Sequence, residues 1–288
     1  MKKPTIDTLI QDIYTSLQKG IDVETKENKE LLKQFTEDVT TALQRQLSEG
    51  KRQKMTSLRM SQIGKPDRQL WYEMNSTAEP EELDGQTKLK FILGDILEAL
   101  TIMLSQMAGH SVTEQQKEVE IEGIKGHTDC RIDGMLVDVK TASSYAFKKF
   151  KEGTLHTDDP FGYIAQISGY AEANGDAEAA FLAIDKSSSE MALMKVEPIR
   201  MINATDRITK VKNFVKSPVK PERCYPDEED GKSGNRKLAI GCVYCPYKDD
   251  CWKDANGGLG IRKFQYANGI RHLTTVAKIP DVPEVTNG

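Results

Sequence analysis

Asp133-Gly134, set between two runs of alternating residues, restricts the fold more than any other feature of the chain. The stretch reads GHTDCRIDGMLVDVKTAS over residues 126–143. An Asp-Gly pair between strand-like runs favours a two-residue hairpin, because both residues tolerate positive φ. At least one strand pair is therefore antiparallel. Around the turn the order is helices, three strands (117–123, 126–132, 135–141), a short basic helix (144–151) and a helix over 160–174. Two strands (178–185, 190–197) and a closing helix over 199–215 follow. This order excludes a purely parallel doubly wound sheet and predicts an α/β core, a mixed β-sheet flanked by helices.

Upstream, residues 5–19 and 28–49 read as helices, with Leu31, Leu32, Phe35, Val39, Leu43 and Leu47 at helical spacing. MSQIGKPDRQLWYEMN (60–75) begins as a loop and continues as a short aromatic helix, and 76–86 is turn-like. Residues 87–108 form a strong helix with a broad apolar face running from Leu89 to Met107. Downstream, 217–240 is rich in Pro, Gly and charge and reads as loop, 241–253 is rich in cysteine, and the tail from 254 is weakly patterned with a disordered end. The expected organisation is a helical N-terminal region (1–56), a core (57–216), a cysteine segment packed on it (217–253) and a tail (254–288).

With 38% hydrophobic and 29% charged residues among 288, the chain can bury a core. No apolar run approaches the roughly 20 residues of a membrane span. The N-terminus lacks the apolar stretch of a secretory signal, so the expected location is the cytoplasm. A net charge of −4 leaves nucleic acid open as a partner, since local patches govern phosphate contacts. There is no phosphate-cradling Gly-x4-Gly-Lys-(Ser/Thr) loop, so ATP use is not expected.

In MLVDVKT (135–141) side chains alternate, so Val137 and Val139 face one way and Leu136, Asp138 and Lys140 the other. Asp129 precedes them on the paired strand, while Asp133 reads as a turn residue. Two or three carboxylates with a carbonyl make a hard-oxygen site suited to Mg²⁺ or Mn²⁺. A neighbouring lysine could orient or help deprotonate a water, or stabilise charge building on a phosphate. Against this, Asp and Lys two apart on an exposed strand are commonplace. Glu98 sits in an otherwise apolar helix and is either a partly buried carboxylate needing a partner or a rim residue in water. Gly94, one turn earlier, would permit a close approach. Tyr163, Gln166 and Tyr170 share a helix face, where a Gln and a Tyr can hold a carboxylate or a phosphate, or simply pack at a helix rim.

Together these elements resemble the PD-(D/E)XK nuclease superfamily, in particular its RecB-like and phage-exonuclease branches. Gly94 to Glu98 matches G-x-x-x-(H or E), Gly126 to Asp129 matches G-x-x-D, Asp138 and Lys140 match (D/E)-x-K in its Asp form, and Gln166 to Tyr170 matches Q-x-x-x-Y. Ser61, Arg68 and Trp71 fit an upstream S-x6-R-x2-(W/Y) element. The resemblance spans residues 57–253. It implies a restriction-endonuclease-like core and a metal-dependent DNA exonuclease of phage-type recombination, repair or degradation, in a bacterial host's cytoplasm. Glu98, Asp129, Asp138 and the Val139 carbonyl would hold Mg²⁺ or Mn²⁺. Lys140 would orient the attacking water, and Gln166 and Tyr170 would position the site. The partners implied are linear DNA ends and a recombination or replication protein. The rivals are a sequence-specific endonuclease and a non-catalytic DNA-binding or assembly module of the same fold.

CVYCPYKDDC places Cys242, Cys245 and Cys251 at metal-ligand spacing, and Cys224 is the best fourth ligand. The alternative is free thiols on a loop. Cys130 reads as a small core residue. The C-x2-C-x5-C tail resembles that of iron–sulfur nucleases related to RecB, whose fourth cysteine lies upstream, where this chain has Lys65, Pro66 and Asp67. The resemblance implies a structural [4Fe–4S] cluster, or Zn²⁺ in its place. In AFKKFK (146–151), Lys148, Lys149 and Lys151 could contact phosphates, with Phe147 and Phe150 either stacking bases or in the core. Arg68, Lys88 and Lys90 are weaker candidates for DNA contact. His110, His127, His156 and His272 are scattered and read as structural.

Overall fold

The computed structural model describes residues 4–48, 56–77, 85–267 and 269–285. In chain order the helices and strands are α1 (Leu9–Lys19), α2 (Lys26–Ser48), α3 (Asp67–Asn75), α4 (Gly85–Met107), β1 (Val112–Thr113), β2 (Lys117–Ile121), β3 (Ile124–Thr128), β4 (Cys130–Ile132) and β5 (Met135–Ala142). They continue with α5 (Ser144–Lys151), α6 (Tyr163–Asn174), β6 (Ala179–Asp185), β7 (Met191–Val196), α7 (Ala204–Lys216), β8 (Glu228–Glu229), β9 (Arg236–Lys237), the short α8 (Ile240–Val243) and α9 (Lys248–Cys251), β10 (Arg262–Tyr266) and β11 (Gly269–Thr275).

Two compact units result. One takes in the described parts of residues 1–51, 57–64 and 83–210, the other those of 52–56, 65–82 and 211–288. The first is built on a five-stranded sheet in the order β1-β4-β5-β6-β7. β5 and β6 run parallel and the other neighbours antiparallel, so the mixed α/β sheet flanked by helices is observed. β6 (AAFLAID) is buried along its whole length, as a central strand covered on both faces must be. One layer gathers Leu136, Phe147, Phe150, Ile167, Phe181, Ala183, Met194 and Ile208, the other Leu9, Ile13, Ile102, Val137, Val139, Leu182 and Ile184. A fully buried side chain such as Phe181 or Leu182 contributes about 1.5–3 kcal/mol from removal from water alone.

The Asp-Gly turn forms as expected, with φ 51° at Asp133 and 90° at Gly134. Asp133 does more than turn the chain. Its carboxylate also pairs with the buried His110 (Nδ1 to Oδ2, 2.7 Å) and accepts from Ser111 N at 3.1 Å. The strand expected over 126–132 is two strands. β3 pairs with β2 in a separate hairpin, and β4 pairs with β1 and β5 in the main sheet. The break falls at Asp129, whose side chain takes the Val139 N–H while its own carbonyl accepts from Gln116 N at 3.1 Å.

α6 is set by backbone contact. Gly162, at φ 74°, crosses Gly64 so closely that a Cβ on either residue would fall 2.2 Å from the other's backbone. Gly64→Ala is expected to lower stability by roughly 3 kcal/mol or more, since backbone cannot yield as a flexible side chain can. A denaturant melt measures this, and a loss below about 1 kcal/mol would contradict the packing. Past the crossing, Asp159 caps the helix by accepting from Tyr163 N (3.0 Å) and Ile164 N (2.8 Å).

In the second unit the tail is not the weakly patterned segment expected. β10 and β11 form a hairpin that joins β9 and β8 in a four-stranded antiparallel sheet in the order β10-β11-β9-β8. The alternation of RKFQY and the Asn268-Gly269 pair carry that signal in the sequence. The 217–240 stretch, expected as loop, supplies β8 and β9. The four cysteines expected to act together all lie in this unit.

Candidate active site

β5 carries the central residues. Its alternation sends Val137 and Val139 into one layer and Leu136 and Ala142 into the other, with Asp138 and Lys140 between the latter pair on the same face. Asp138 is 1% exposed. Lys140 Nζ is ion-paired with Asp138 Oδ2. From α6, Gln166 Nε2 donates to Asp138 Oδ1 at 3.2 Å and to the Tyr170 hydroxyl at 3.3 Å. Gln166 thus holds the Asp138 carboxylate, and Tyr170, one helical turn on along the same buried face, accepts from Gln166.

Asp129 Oδ2 accepts from Val139 N at 2.7 Å, which orients the carboxylate toward the same strand segment. Glu98, on α4, accepts from Gln116 Nε2 at 3.1 Å. Gln116 is held at φ 50°, a backbone region a glutamine rarely adopts. Glu98, Asp129 and Gln116 line a cleft of about 510 Å³ with Arg45 and Asp95, which are themselves paired at 2.8 Å. Gly94 is not a point of extreme closeness, since a Cβ there would stand 3.6 Å from Thr141 Oγ1, an ordinary contact. Gly126 is one. A Cβ on it would come 2.5 Å from Met60 Cβ and 2.7 Å from the Tyr170 ring. Gly126→Ala is therefore expected to displace Tyr170 and cost about 1–3 kcal/mol, measurable by chemical denaturation. A neutral result would show that Met60 and Tyr170 have room to shift.

The electrostatics follow from crowding. Burial, then the charge of Asp138, pushes Glu98 up to about 7. Burial, followed by Asp138 and Glu98, raises Asp129 well above the usual carboxylate range. For Lys140, burial alone would favour the neutral amine. Asp138 and Asp129 outweigh it and raise the pKa, so the side chain is an ammonium at neutral pH. Tyr163 lays its ring 5.0 Å from that ammonium, a cation–π contact at the foot of α6. Burial raises Tyr163 and takes Tyr170 up to about 12, so both are neutral phenols.

This donor set suits a hard divalent cation. It is all oxygen, and two of its carboxylates are driven toward protonation by burial and mutual repulsion. A cation would reverse each of these costs. Among the described residues, no three His, Cys, Asp or Glu side chains stand close enough to hold a metal as placed, so binding one requires side-chain movement.

The structure brings together Glu98, Asp129, Asp138, Lys140, Gln166 and Tyr170. Others are engaged by different partners. Phe147 and Phe150 are buried, the core reading of that helix. Lys148 lies 3.6 Å from Glu152, Lys149 pairs with Asp158 at 2.5 Å and Lys151 with Glu190 at 2.6 Å. Arg68 lies in the second unit, donating to the Pro221 carbonyl at 2.9 Å and lining the cysteine cavity rather than the cleft. Tyr163, Gln116 and Asp159 were not assigned from sequence. Asp159, four residues before the start of α6 at Tyr163, had a capping signal, whereas Gln116 had none.

In the second unit Cys224, Cys242, Cys245 and Cys251 line one small cavity with Arg68, Tyr72, Arg223 and Trp252. All are unbridged thiols. Burial raises Cys224, Cys242 to about 11 and Cys245 to about 12, with neighbouring thiols adding to the effect in each case. Four soft sulfur donors line one cavity, the donor type a thiolate-ligated ion or cluster uses, though as placed no three of them stand close enough to hold one. Cys130 is buried in the sheet, as expected of a small core residue.

No protein-family model matches the chain, and no curated protein sequence matches it. Among solved structures it is similar to SSO0001, with a TM-score of 0.39 and 16% identity over 74% of this chain and 93% of that one. It is also similar to LHK-Exo in complex with dAMP, with a TM-score of 0.33 and 14% identity over 55% of this chain and 92% of that one. Among the described residues, no helix is long and apolar enough to cross a membrane.

Proposed function

We propose that the chain is a divalent-metal-dependent deoxyribonuclease that acts from the ends of linear DNA. The observation that carries the reading is the convergence on β5. Asp138 is fixed by Gln166, paired with Lys140, and joined by Asp129 and Glu98 in one acidic cluster. The chemistry is hydrolysis of a phosphodiester bond. Water adds at phosphorus, the P–O bond to the leaving sugar breaks, and the leaving oxygen takes up a proton.

Glu98, Asp129, Asp138 and the Val139 carbonyl would hold Mg²⁺ or Mn²⁺, which when bound supplies positive charge opposite the phosphate. The chain's own groups do the rest. Lys140, charged at neutral pH, donates to the attacking water and to a non-bridging phosphate oxygen, stabilising charge that grows in the transition state. Gln166 and the Val139 N–H keep two carboxylates from rotating away. The Tyr163 ring shields the ammonium from bulk water and strengthens its field. The cysteine cavity would hold a [4Fe–4S] cluster or Zn²⁺ in a structural role that stabilises the second unit.

Attack from ends is tested by comparing linear with covalently closed circular DNA in Mg²⁺. Loss of the linear form alone supports an exonuclease, and cutting of closed circles indicates the endonuclease. Binding of both without cleavage in any divalent metal means a non-catalytic module. The cysteine site is read separately by the absorption spectrum of anaerobically purified protein. Broad visible absorbance that chelation bleaches, with a fall in melting temperature, identifies iron–sulfur. A colourless protein that releases zinc identifies the alternative, and one holding neither refutes the site.

A further inference from the structure

Two exposed aromatic side chains have no role in the reading above, one of them stacked on the ring that covers Lys140. Phe161 is 59% exposed and stacks on Tyr163, with ring centroids 5.5 Å apart and planes 29° apart. Tyr163 is backed in turn by Phe150 at 6.1 Å and Phe181 at 6.3 Å, so the outer ring rests on a rigid stack. Tyr145, at the start of α5, is 74% exposed, and Lys149 Nζ lies 5.2 Å from its ring. The same ammonium donates to the Asp158 carbonyl at 3.0 Å and pairs with the Asp158 carboxylate. Lys148, on the adjoining turn of α5, is exposed.

The contacts form two sets, Lys140 with Tyr163 and Phe161, and Asp158 with Lys149 and Tyr145, joined by the short stretch of chain from Asp158 to Phe161. The arrangement of exposed π-faces with interleaved ammonium groups, beginning at the catalytic lysine, matches what an unpaired nucleic acid strand requires. Stacking needs a base whose face is free, and bases inside a duplex are already stacked on their neighbours. A phosphate near Lys140 would place the adjoining base within reach of Phe161, and the next phosphates beside Lys148 and Lys149.

We propose that Phe161 and Tyr145 form a stacking platform for single-stranded DNA leading away from the cleavage site, so that the substrate class is an unpaired strand end. This rests on the nuclease reading for the identity of the ligand. The test is chosen to be independent of cleavage. Fluorescence anisotropy of the full chain with a labelled oligothymidine of about 15 nucleotides is measured in EDTA, with a blunt duplex of equal length as comparison. Wild-type protein is expected to prefer the single strand. Phe161→Ala and Tyr145→Ala are each expected to weaken single-strand binding about tenfold, and Phe161→Trp to preserve it. Duplex binding should change little in any of them. Both residues are exposed, so unchanged melting curves confirm that the loss is local. Unaltered single-strand affinity in the double variant overturns the platform, as does equal weakening on single strand and duplex. Failure of cleavage by wild-type protein, with the platform variants still defective in binding, refutes the nuclease reading and leaves the platform standing.

Discussion

Lys140→Ala is expected to reduce DNA cleavage in Mg²⁺ by about 10²–10³-fold or more while leaving DNA affinity in EDTA near that of wild type. Among the described residues the ammonium is the one cationic side chain ion-paired to Asp138, and Asp138 with Asp129 holds it charged. Its contribution therefore grows with the negative charge on the phosphate, which is greatest in the transition state. The substitution also leaves a 1%-exposed carboxylate without its counter-ion. The metal-free variant should lose about 1–3 kcal/mol of stability, less than a fully unpaired buried charge would cost because Gln166 still donates to Asp138 Oδ1. Lys140→Arg should recover stability more than rate, since a guanidinium fork cannot reproduce the position of Nζ. The rate is read from initial velocities on linear DNA and the stability from urea melts. Cleavage within about threefold of wild type, a loss too small for a transition-state cation, would remove Lys140 from the chemistry.

Glu98→Gln should produce the opposite stability change with the same loss of activity. Glu98 is raised to about 7 from its ordinary 4.5, by burial first and by Asp138 second. Between those values the folded protein holds a proton that the unfolded chain releases. Stability of the metal-free wild type therefore rises as pH falls from about 8 toward 5 and levels off below both values. Glutamine has no such titration. In EDTA near pH 8 the variant should be more stable than wild type by about 1–2 kcal/mol, a figure reduced from the full shift because the side chain is only partly buried. That advantage should vanish toward pH 4.5. Mg²⁺ should stabilise wild type and leave the variant largely unaffected. Urea melts at several pH values, with and without Mg²⁺, read all three effects. A variant less stable than wild type at pH 8 would show that Glu98 is a satisfied structural carboxylate.

The part of this site legible in the sequence is the part that depends on period. Alternation in MLVDVKT put Asp138 and Lys140 on one face, and i,i+4 spacing put Gln166 and Tyr170 on another, so both pairs were placed before any coordinates. Asp133-Gly134 likewise placed the hairpin. What escaped depends on tertiary contact. Asp129 reads as a strand residue, and only its bond to the Val139 N–H shows why the strand breaks there. The aromatic cover on Lys140 needs α6 to enter at the angle set by Gly64 against Gly162, and no local pattern encodes that crossing. Arg68 fits an upstream nuclease element by spacing, yet its guanidinium is spent on the Pro221 carbonyl beside the cysteines. The β10–β11 hairpin was missed because its strands mix Arg262, Lys263 and Arg271 with few apolar residues and bury little beyond Phe264, Leu273 and Thr274.

The central claim is that the cluster on β5 hydrolyses phosphodiester bonds with a divalent metal, and a timed digest of end-labelled linear DNA by the purified full chain tests it most directly. The account predicts progressive release of the label as short products in Mg²⁺ or Mn²⁺, and none in EDTA. Intact label after prolonged incubation in either metal, or the same release in EDTA as in Mg²⁺, would contradict it.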